Sequence, residues 1–392
     1  MVMNELYGQT CSCCHHAHPR NEASVSASFT PELMARLLAD IYAKTFNVEE
    51  YIYPELYEAA RDTFRRALQE GYPIEDVDDA DTLFRQALKD DADVFAAFRT
   101  HRMQNDIASQ LLDENGKLKE FRQFREDAES VIGTYNNHWL RTEYDTAVLR
   151  ARYAADWKRF SRNADILPNL KWMPTTSADP DVFHMEYWRV GLTLPKTHPF
   201  WKSHHPHDRW GCKCDLEETD EPVTGTIPEV DYRPSPGLEN NPGLEPELFS
   251  HTHPYYEKAY PGAEKAVMRL RRKEIQQEAS VLKEQTFRNA GLDRNIHITG
   301  RGIKEWLNQP HEFYSAKNEL LLSMDKLIKT AEYLGYGQDK HDASIKAHLL
   351  EITIEGKKSW IIVREFSPER VEVHSISDRE KIKDIVTKKP DS

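Results

Sequence analysis

Two groups of residues in this chain have the types needed for chemistry. The first lies in the C-terminal quarter: His311, Lys317, His348, Arg364, His374 and Ser375. Metal-free cleavage of RNA needs a base for the 2′-hydroxyl proton, an acid for the leaving 5′-oxygen and a cation for the phosphate. Imidazoles, an amine and a guanidinium supply all three, and such chemistry requires no cofactor. The second group is Cys212, Cys214, His184 and one of His204, His205 or His207, of which His207 is taken as the fourth member. Two thiols and two imidazoles are a zinc ligand set. However, Cys212 and Cys214 are closer than a Cys-x-x-Cys knuckle. The alternative is a buried polar cluster in which the cysteines pack as small hydrophobes. No His-Glu-x-x-His pattern accompanies them, so any metal here is expected to be structural.

The first group must be carried by a compact α+β pattern. Ile296–Ile298 reads as a short strand, and Thr299-Gly300-Arg301-Gly302 leads into a helix through Trp306. Ser315 is placed to cap a helix over Ala316–Leu334, ended by Gly335-Tyr336-Gly337. Period-2 alternation predicts strands over Ile345–Ile354, Trp360–Phe366 and Val371–Ile376, joined by turns at Glu355-Gly356-Lys357 and Ser367–Arg370. Strict alternation puts His374 on one face with Glu372 and Ile376, and Val371, Val373 and Ser375 on the other. If the valine face is core, His374 is open to solvent, and one sheet could display His348, Arg364 and His374 together. Lys317 falls in the first turn of a helix, where exposed amides add to an anion site. The enzymatic reading requires His374 and Arg364 to meet Lys317 or His311 in one cleft.

Upstream the chain reads as helix from Ser28 to about Asp165. Thr30-Pro31-Glu32 opens the first helix, and a second spans Tyr57 to Leu68. Further helices fit Asp81–Arg99, Met103–Leu112, Lys117–Asn137 and Trp139–Ser161. From Pro168 to Thr219 no period persists, Pro222 to Pro261 reads as an extended arm, and Glu264–Arg288 as a connecting helix. The fold class expected is multi-domain. A mainly α-helical body with an irregular Cys/His-containing region precedes a C-terminal α+β domain with a small antiparallel sheet. The boundaries expected are a Cys/His-rich tail over 1–27 (Cys11, Cys13, Cys14, His15, His16, His18), a body over 28–220, a Pro-rich linker with its helix over 221–289, and the α+β domain over 290–392.

Net charge is −13, yet residues 296–392 hold 16 Lys/Arg against 16 Asp/Glu. The acidic excess therefore sits in the body and argues against broad DNA binding, while the neutral C-terminal part leaves RNA contact open. Five cysteines, all before residue 215, are no disulfide scaffold. No window approaches the ~20 apolar residues of a membrane span, and the first residues lack a signal-peptide pattern. A cytoplasmic site of synthesis and no membrane partner are expected.

The stretch His184-Met185-Glu186-Tyr187-Trp188-Arg189-Val190-Gly191, then Leu194-Pro195-Lys196-Thr197-His198-Pro199-Phe200-Trp201, closes with His204-His205-Pro206-His207-Asp208-Arg209-Trp210-Gly211-Cys212-Lys213-Cys214. It resembles the signature of the Mu F-like head-morphogenesis proteins of tailed phages, as does the preceding Trp139–Ala147 segment. The resemblance covers roughly residues 130 to 220. It implies a minor head protein, made in the host cytoplasm and carried inside the virion head near the portal, with portal and capsid proteins as partners. The C-terminal part is similar in outline to the phage-borne barnase/EndoU/colicin/RelE-like nucleases. That similarity implies a ribonuclease and, with it, an immunity protein as a further partner. The competing reading is a structural head protein whose last domain is an interaction module.

Overall fold

Thr30, itself extended, opens the first helix. Its hydroxyl accepts the Leu33 amide at 3.2 Å, and Pro31 takes the first helical position, where a missing N–H costs nothing. The computed structural model describes residues 6–7, 29–175, 180–231 and 233–387. The Cys/His residues of the tail, Cys11 to His18, lie outside the described residues. Two compact units divide between Val267 and Met268.

In the first unit, α1 (Pro31–Ala43), α2 (Pro54–Gly71), α3 (Thr82–Ala108), α4 (Phe121–Gly133) and α5 (Leu140–Arg162) form the helical body. Two expected breaks are absent. α3 runs through Thr100–Arg102, where no Gly or Pro interrupts it. α4 passes into α5 through a π-helical turn over Thr134–Trp139. α2 and α5 meet closely at Gly71, where a Cβ would lie 2.2 Å from the Val148 carbonyl oxygen. Arg99 of α3 pairs with Glu143 of α5 at 2.6 Å with both side chains wholly buried.

The region expected to be irregular contains a three-stranded antiparallel sheet, ordered β2-β1-β3. β1 is Asn169–Met173, β2 is Thr193–Pro195 and β3 is Asp215–Thr219, with α6 (Val182–Arg189) and α7 (Phe200–Ser203) between them. Strands this short carry too few alternations to show a period. Leu170, Trp172, Tyr187, Leu194 and Trp201 form their core together with Cys212 and Cys214.

The segment from Pro222 to Pro261 is no free arm. Leu238, Leu248, Phe249 and Tyr255 are each at most 1% exposed, and a short helix, α8 (Pro254–Glu257), closes it. Arg150 of α5 explains how a segment without strands can be buried. Its guanidinium donates to the carbonyls of Leu248, His207, Leu238 and Asn240, satisfying oxygens that no ladder reaches. The boundary between units accordingly falls inside α9 (Ala263–Glu278) rather than near residue 290.

The second unit holds a six-stranded sheet of order β4-β5-β9-β8-β7-β6. Its strands are β4 (Phe287–Arg288), β5 (Asn295–Ile298), β6 (Glu332–Gln338), β7 (Lys346–Ile354), β8 (Lys357–Ser367) and β9 (Arg370–Ser377). All neighbours are antiparallel except β5 and β9. Glu355 and Gly356, with φ of 48° and 75°, make the tight turn between β7 and β8. The single helix expected over Ala316–Leu334 is instead α11 (Tyr314–Glu319), a 3-10 turn and α12 (Met324–Thr330). Gly335-Tyr336-Gly337 is not a helix end but part of β6. At Gly337 a Cβ would lie 1.7 Å from the Ile385 carbonyl oxygen, so the C-terminal turn packs where only glycine fits. α10 (Gly300–Asn308), α11 and α12 cover one sheet face, with Trp306, Leu321, Met324 and Ile328 against Leu350, Ile361, Val363, Val373 and Ile376.

The chain is thus multi-domain, with a mainly helical N-terminal body, an irregular region bearing the Cys/His cluster, and a C-terminal α+β unit with a small sheet. Among the described residues no helix is long and apolar enough to cross a membrane.

Candidate functional site

His184 is set by the start of α6, where the Asp181 carboxylate accepts the Phe183 and His184 amides. Cys212 and Cys214 follow the turn His207–Gly211, whose ends have φ of 69° and 77°. This folding brings three of the four expected metal ligands together. One ligand atom each of His184, Cys212 and Cys214 lies within 4.8 Å of the others, and all three residues are buried. His184 Nδ1 is 3.2 Å from Cys212 Sγ, and His184 Nε2 donates to Asp208 Oδ1 at 2.9 Å. The fourth expected ligand, His207, is not in the cluster, since its Nδ1 donates to the Cys212 carbonyl at 2.9 Å. Burial opposes charge on His184, yet the Cys212 sulfur and the Asp208 carboxylate hold its pKa well above the usual range. Burial, then the neighbouring Cys214, push the Cys212 thiol up to about 11. The three residues could hold a metal ion.

In the second unit a cavity of about 120 Å³ is lined by residues of three elements. Arg364 and Phe366 come from β8, Arg370, Glu372 and His374 from β9, and Thr299, Arg301 and Gly302 from the start of α10. Thr299 caps that helix by accepting the Gly302 amide at 3.1 Å. At Gly302 a Cβ would stand 2.4 Å from the Val373 carbonyl oxygen, so glycine lets the helix start lie directly on β9.

His374 sits at a β-bulge. Ile362 pairs with Ser375 and Val363 with Val373, leaving His374 without a partner. The bulge changes the phase of the strand, so Ile376 joins Val371 and Val373 in the core. The strict alternation expected from sequence fails there: Ser375, buried opposite Ile362, leaves the valine face, and Ile376 takes its place.

The half-buried His374 ring makes no hydrogen bond among the described residues. Burial first, then Arg364, hold its pKa below the usual 6.5, so it is neutral at pH 7. Arg364 donates to Asp339 Oδ2 at 2.8 Å. Arg370 donates to Glu372 at 2.8 Å and lies 4.3 Å above the Phe366 ring.

The remaining candidates do not join them in this cavity. Lys317 is buried with its ammonium donating to the carbonyls of Trp306 and Gln309, at 2.6 and 3.0 Å. Burial, then Arg272, lower its pKa to about 7. His311 accepts the Phe313 amide on Nδ1 and donates from Nε2 to Ser359, each at 2.9 Å. His348 donates from Nε2 to Glu365 and accepts the Tyr333 hydroxyl on Nδ1, also at 2.9 Å. Its register with Val363 puts it on the helix-covered face, away from Arg364 and His374. Sequence reasoning did not assign Arg301, Arg370 and Glu372 to the site. Their signal was weak, because exposed Arg and Glu on a strand or a helix start are ordinary surface residues.

A family model described as large polyvalent protein-associated domain 3 matches residues 266–370. The match spans most of the second unit and ends before Glu372 and His374. Nothing among the curated proteins or the solved structures matches the chain.

Proposed function

We propose that this chain is a phage-associated minor head protein whose second unit binds and cleaves RNA without a metal. The convergence expected of an enzyme fails for Lys317 and His311, which lie outside the cavity. The helix-borne cation there is Arg301, and the observation that carries the enzymatic part is His374. It is half-buried, has both ring nitrogens uncommitted among the described residues, and lines one cavity with three arginines. Arg301, Arg364 and Arg370 hold the phosphate, and the amides at the start of α10 add to their field. Neutral His374 takes the 2′-hydroxyl proton, and that oxygen attacks phosphorus. The bond to the 5′-oxygen breaks, and the imidazolium returns the proton to it, leaving a 2′,3′-cyclic phosphate. Glu372, on the same strand, is the second proton-transfer group in reach of the cavity.

The head assignment is supported by the His184–Cys214 motif and is compatible with the match to a polyvalent protein-associated domain. In this reading portal and capsid proteins are the partners, and the chain is carried in the virion head. An immunity protein protects the host while the ribonuclease is made, and the Cys/His cluster is a structural zinc centre. A second reading, RNA binding without turnover, is favoured by Lys317 and His311 lying outside the cavity, which leaves one imidazole there.

The test is RNA cleavage by the full chain, wild type beside His374→Ala, with and without EDTA. Cleavage that survives EDTA and is lost in the variant is expected. RNA binding by both proteins without cleavage by either would establish the second reading. Recovery of the chain in purified virions, crosslinked to portal protein, is expected for the head assignment, and its absence from virions would refute it.

A further inference from the structure

Asp208 has no place in the expected ligand set, yet it is wholly buried and directed at His184. Its other oxygen, Oδ2, accepts the His205 amide at 3.4 Å, so the same turn that presents Cys212 also fixes the carboxylate. The fully buried His184 ring meets a carboxylate at Nε2 and the Cys212 sulfur at Nδ1. With a proton donated from Nε2 to Asp208, the Nδ1 lone pair faces the sulfur, where it can take the Cys212 thiol proton or a cation shared with that sulfur.

The spacing suits this. Zinc bonds of ordinary length at a tetrahedral angle put nitrogen and sulfur about 3.5 Å apart, against 3.2 Å between Nδ1 and Cys212 Sγ. The Cys214 amide donates to Cys212 Sγ at 3.4 Å, a bond that favours a charged sulfur. Two thiolates and an imidazole select a soft divalent ion over magnesium or calcium.

Resting on the zinc reading above, we propose that His184 binds the metal through Nδ1 and that Asp208 is the positioning residue that fixes this tautomer and raises the metal affinity. Three protein ligands leave one tetrahedral position for water or a further donor. A carboxylate on the distal nitrogen of a ligand histidine is worth about 10- to 100-fold in affinity.

The experiment uses the full chain carrying Cys11→Ser, Cys13→Ser and Cys14→Ser, so that the tail thiols cannot contribute. Zinc is titrated against a chelator in this background and with Asp208→Asn added. The tautomer of His184 is read by nitrogen-15 NMR of the zinc-loaded, histidine-labelled parent, which needs no change at Asp208. One zinc per chain, metal on Nδ1 with a proton on Nε2, and an affinity about 10- to 100-fold lower for Asp208→Asn are expected. A parent that binds no zinc overturns the centre itself. A parent that binds zinc through Nε2, or with an affinity that Asp208→Asn leaves unchanged, overturns the role of Asp208 and spares the centre.

Discussion

His348 and Glu365 are joined across β7 and β8, Nε2 to Oε2 at 2.9 Å, on the sheet face opposite His374. Burial holds the His348 pKa below the usual 6.5 despite the carboxylate. Burial works to raise that of Glu365, but Lys346 and His348 hold it below the usual 4.5. Both shifts mean that the unfolded chain binds more protons, so the stability they confer is present above those usual values and lost as pH falls below them. Thermal unfolding between pH 7.5 and 4 is expected to show a steeper loss in wild type than in His348→Gln. Glu365→Gln is expected to cost about 1–3 kcal/mol and to leave RNA cleavage within about twofold of wild type, since both residues lie off the cavity. A large drop in cleavage for a folded Glu365→Gln protein would move the active site to this cluster.

For His374 the pH profile of cleavage carries the sign. A base held below the usual 6.5 by burial and by Arg364 is expected to make kcat/KM rise with pH and level off below that value. His374→Ala should lower it by about 10²- to 10⁴-fold. Arg364→Gln should weaken substrate binding and also raise the apparent pKa of the rate by removing a positive neighbour. A profile that falls through the same range would make His374 the acid rather than the base.

Lys317 is a buried ammonium rather than a phosphate ligand. Its pKa lies at about 7 in the folded unit against the usual 10.5. Over that interval the unfolded state binds more protons, so stability rises with pH and is lost on going down from 10.5 to 7. Denaturant melts at several pH values are expected to show that Lys317→Met removes this slope, while cleavage per folded molecule is kept. A variant that keeps the slope would refute the assignment.

Arg150 ties the segment from Pro222 to Pro261 to the helical body through four backbone carbonyls. Burial lowers its pKa only to about 10, so it stays charged at neutral pH. Arg150→Met leaves those oxygens unpaired in the interior and is expected to cost about 3–5 kcal/mol. Limited proteolysis should then cut between Pro222 and Pro261, where wild type resists. Equal resistance in the two proteins would mean that the apolar contacts of Leu238, Leu248 and Phe249 suffice.

The helices and hairpins near their predicted places were legible because their signals are local. Thr30-Pro31, the apolar stripe of α1 and the Glu355-Gly356 turn act within a few residues. What was misread depends on partners far along the chain. β6 looked like a helix end because Gly337 serves a close approach by Ile385. The arm looked free because its carbonyls are satisfied by Arg150 rather than by its own ladder. The cluster that could hold a metal was legible in part: His184, Cys212 and Cys214 follow from residue type, whereas the exclusion of His207 and the presence of Asp208 follow from one turn with two left-handed residues.

Residue order alone therefore established the division into a helical body and an α+β end, the acidic bias of the body and the pool of groups able to do chemistry. Composition and short-range periodicity carry those properties without reference to distant contacts. Which members of the pool meet was settled by packing. A single bulge at His374 shifts the phase of β9, keeps His374 beside Arg364 and sends Ile376 into the core. Burial gave Lys317, His311 and His348 partners that take up their nitrogens, because an unsatisfied polar group away from water costs more than folding can readily offset. No rule of sequence spacing contains that cost, since it depends on what lies on the other side of the core.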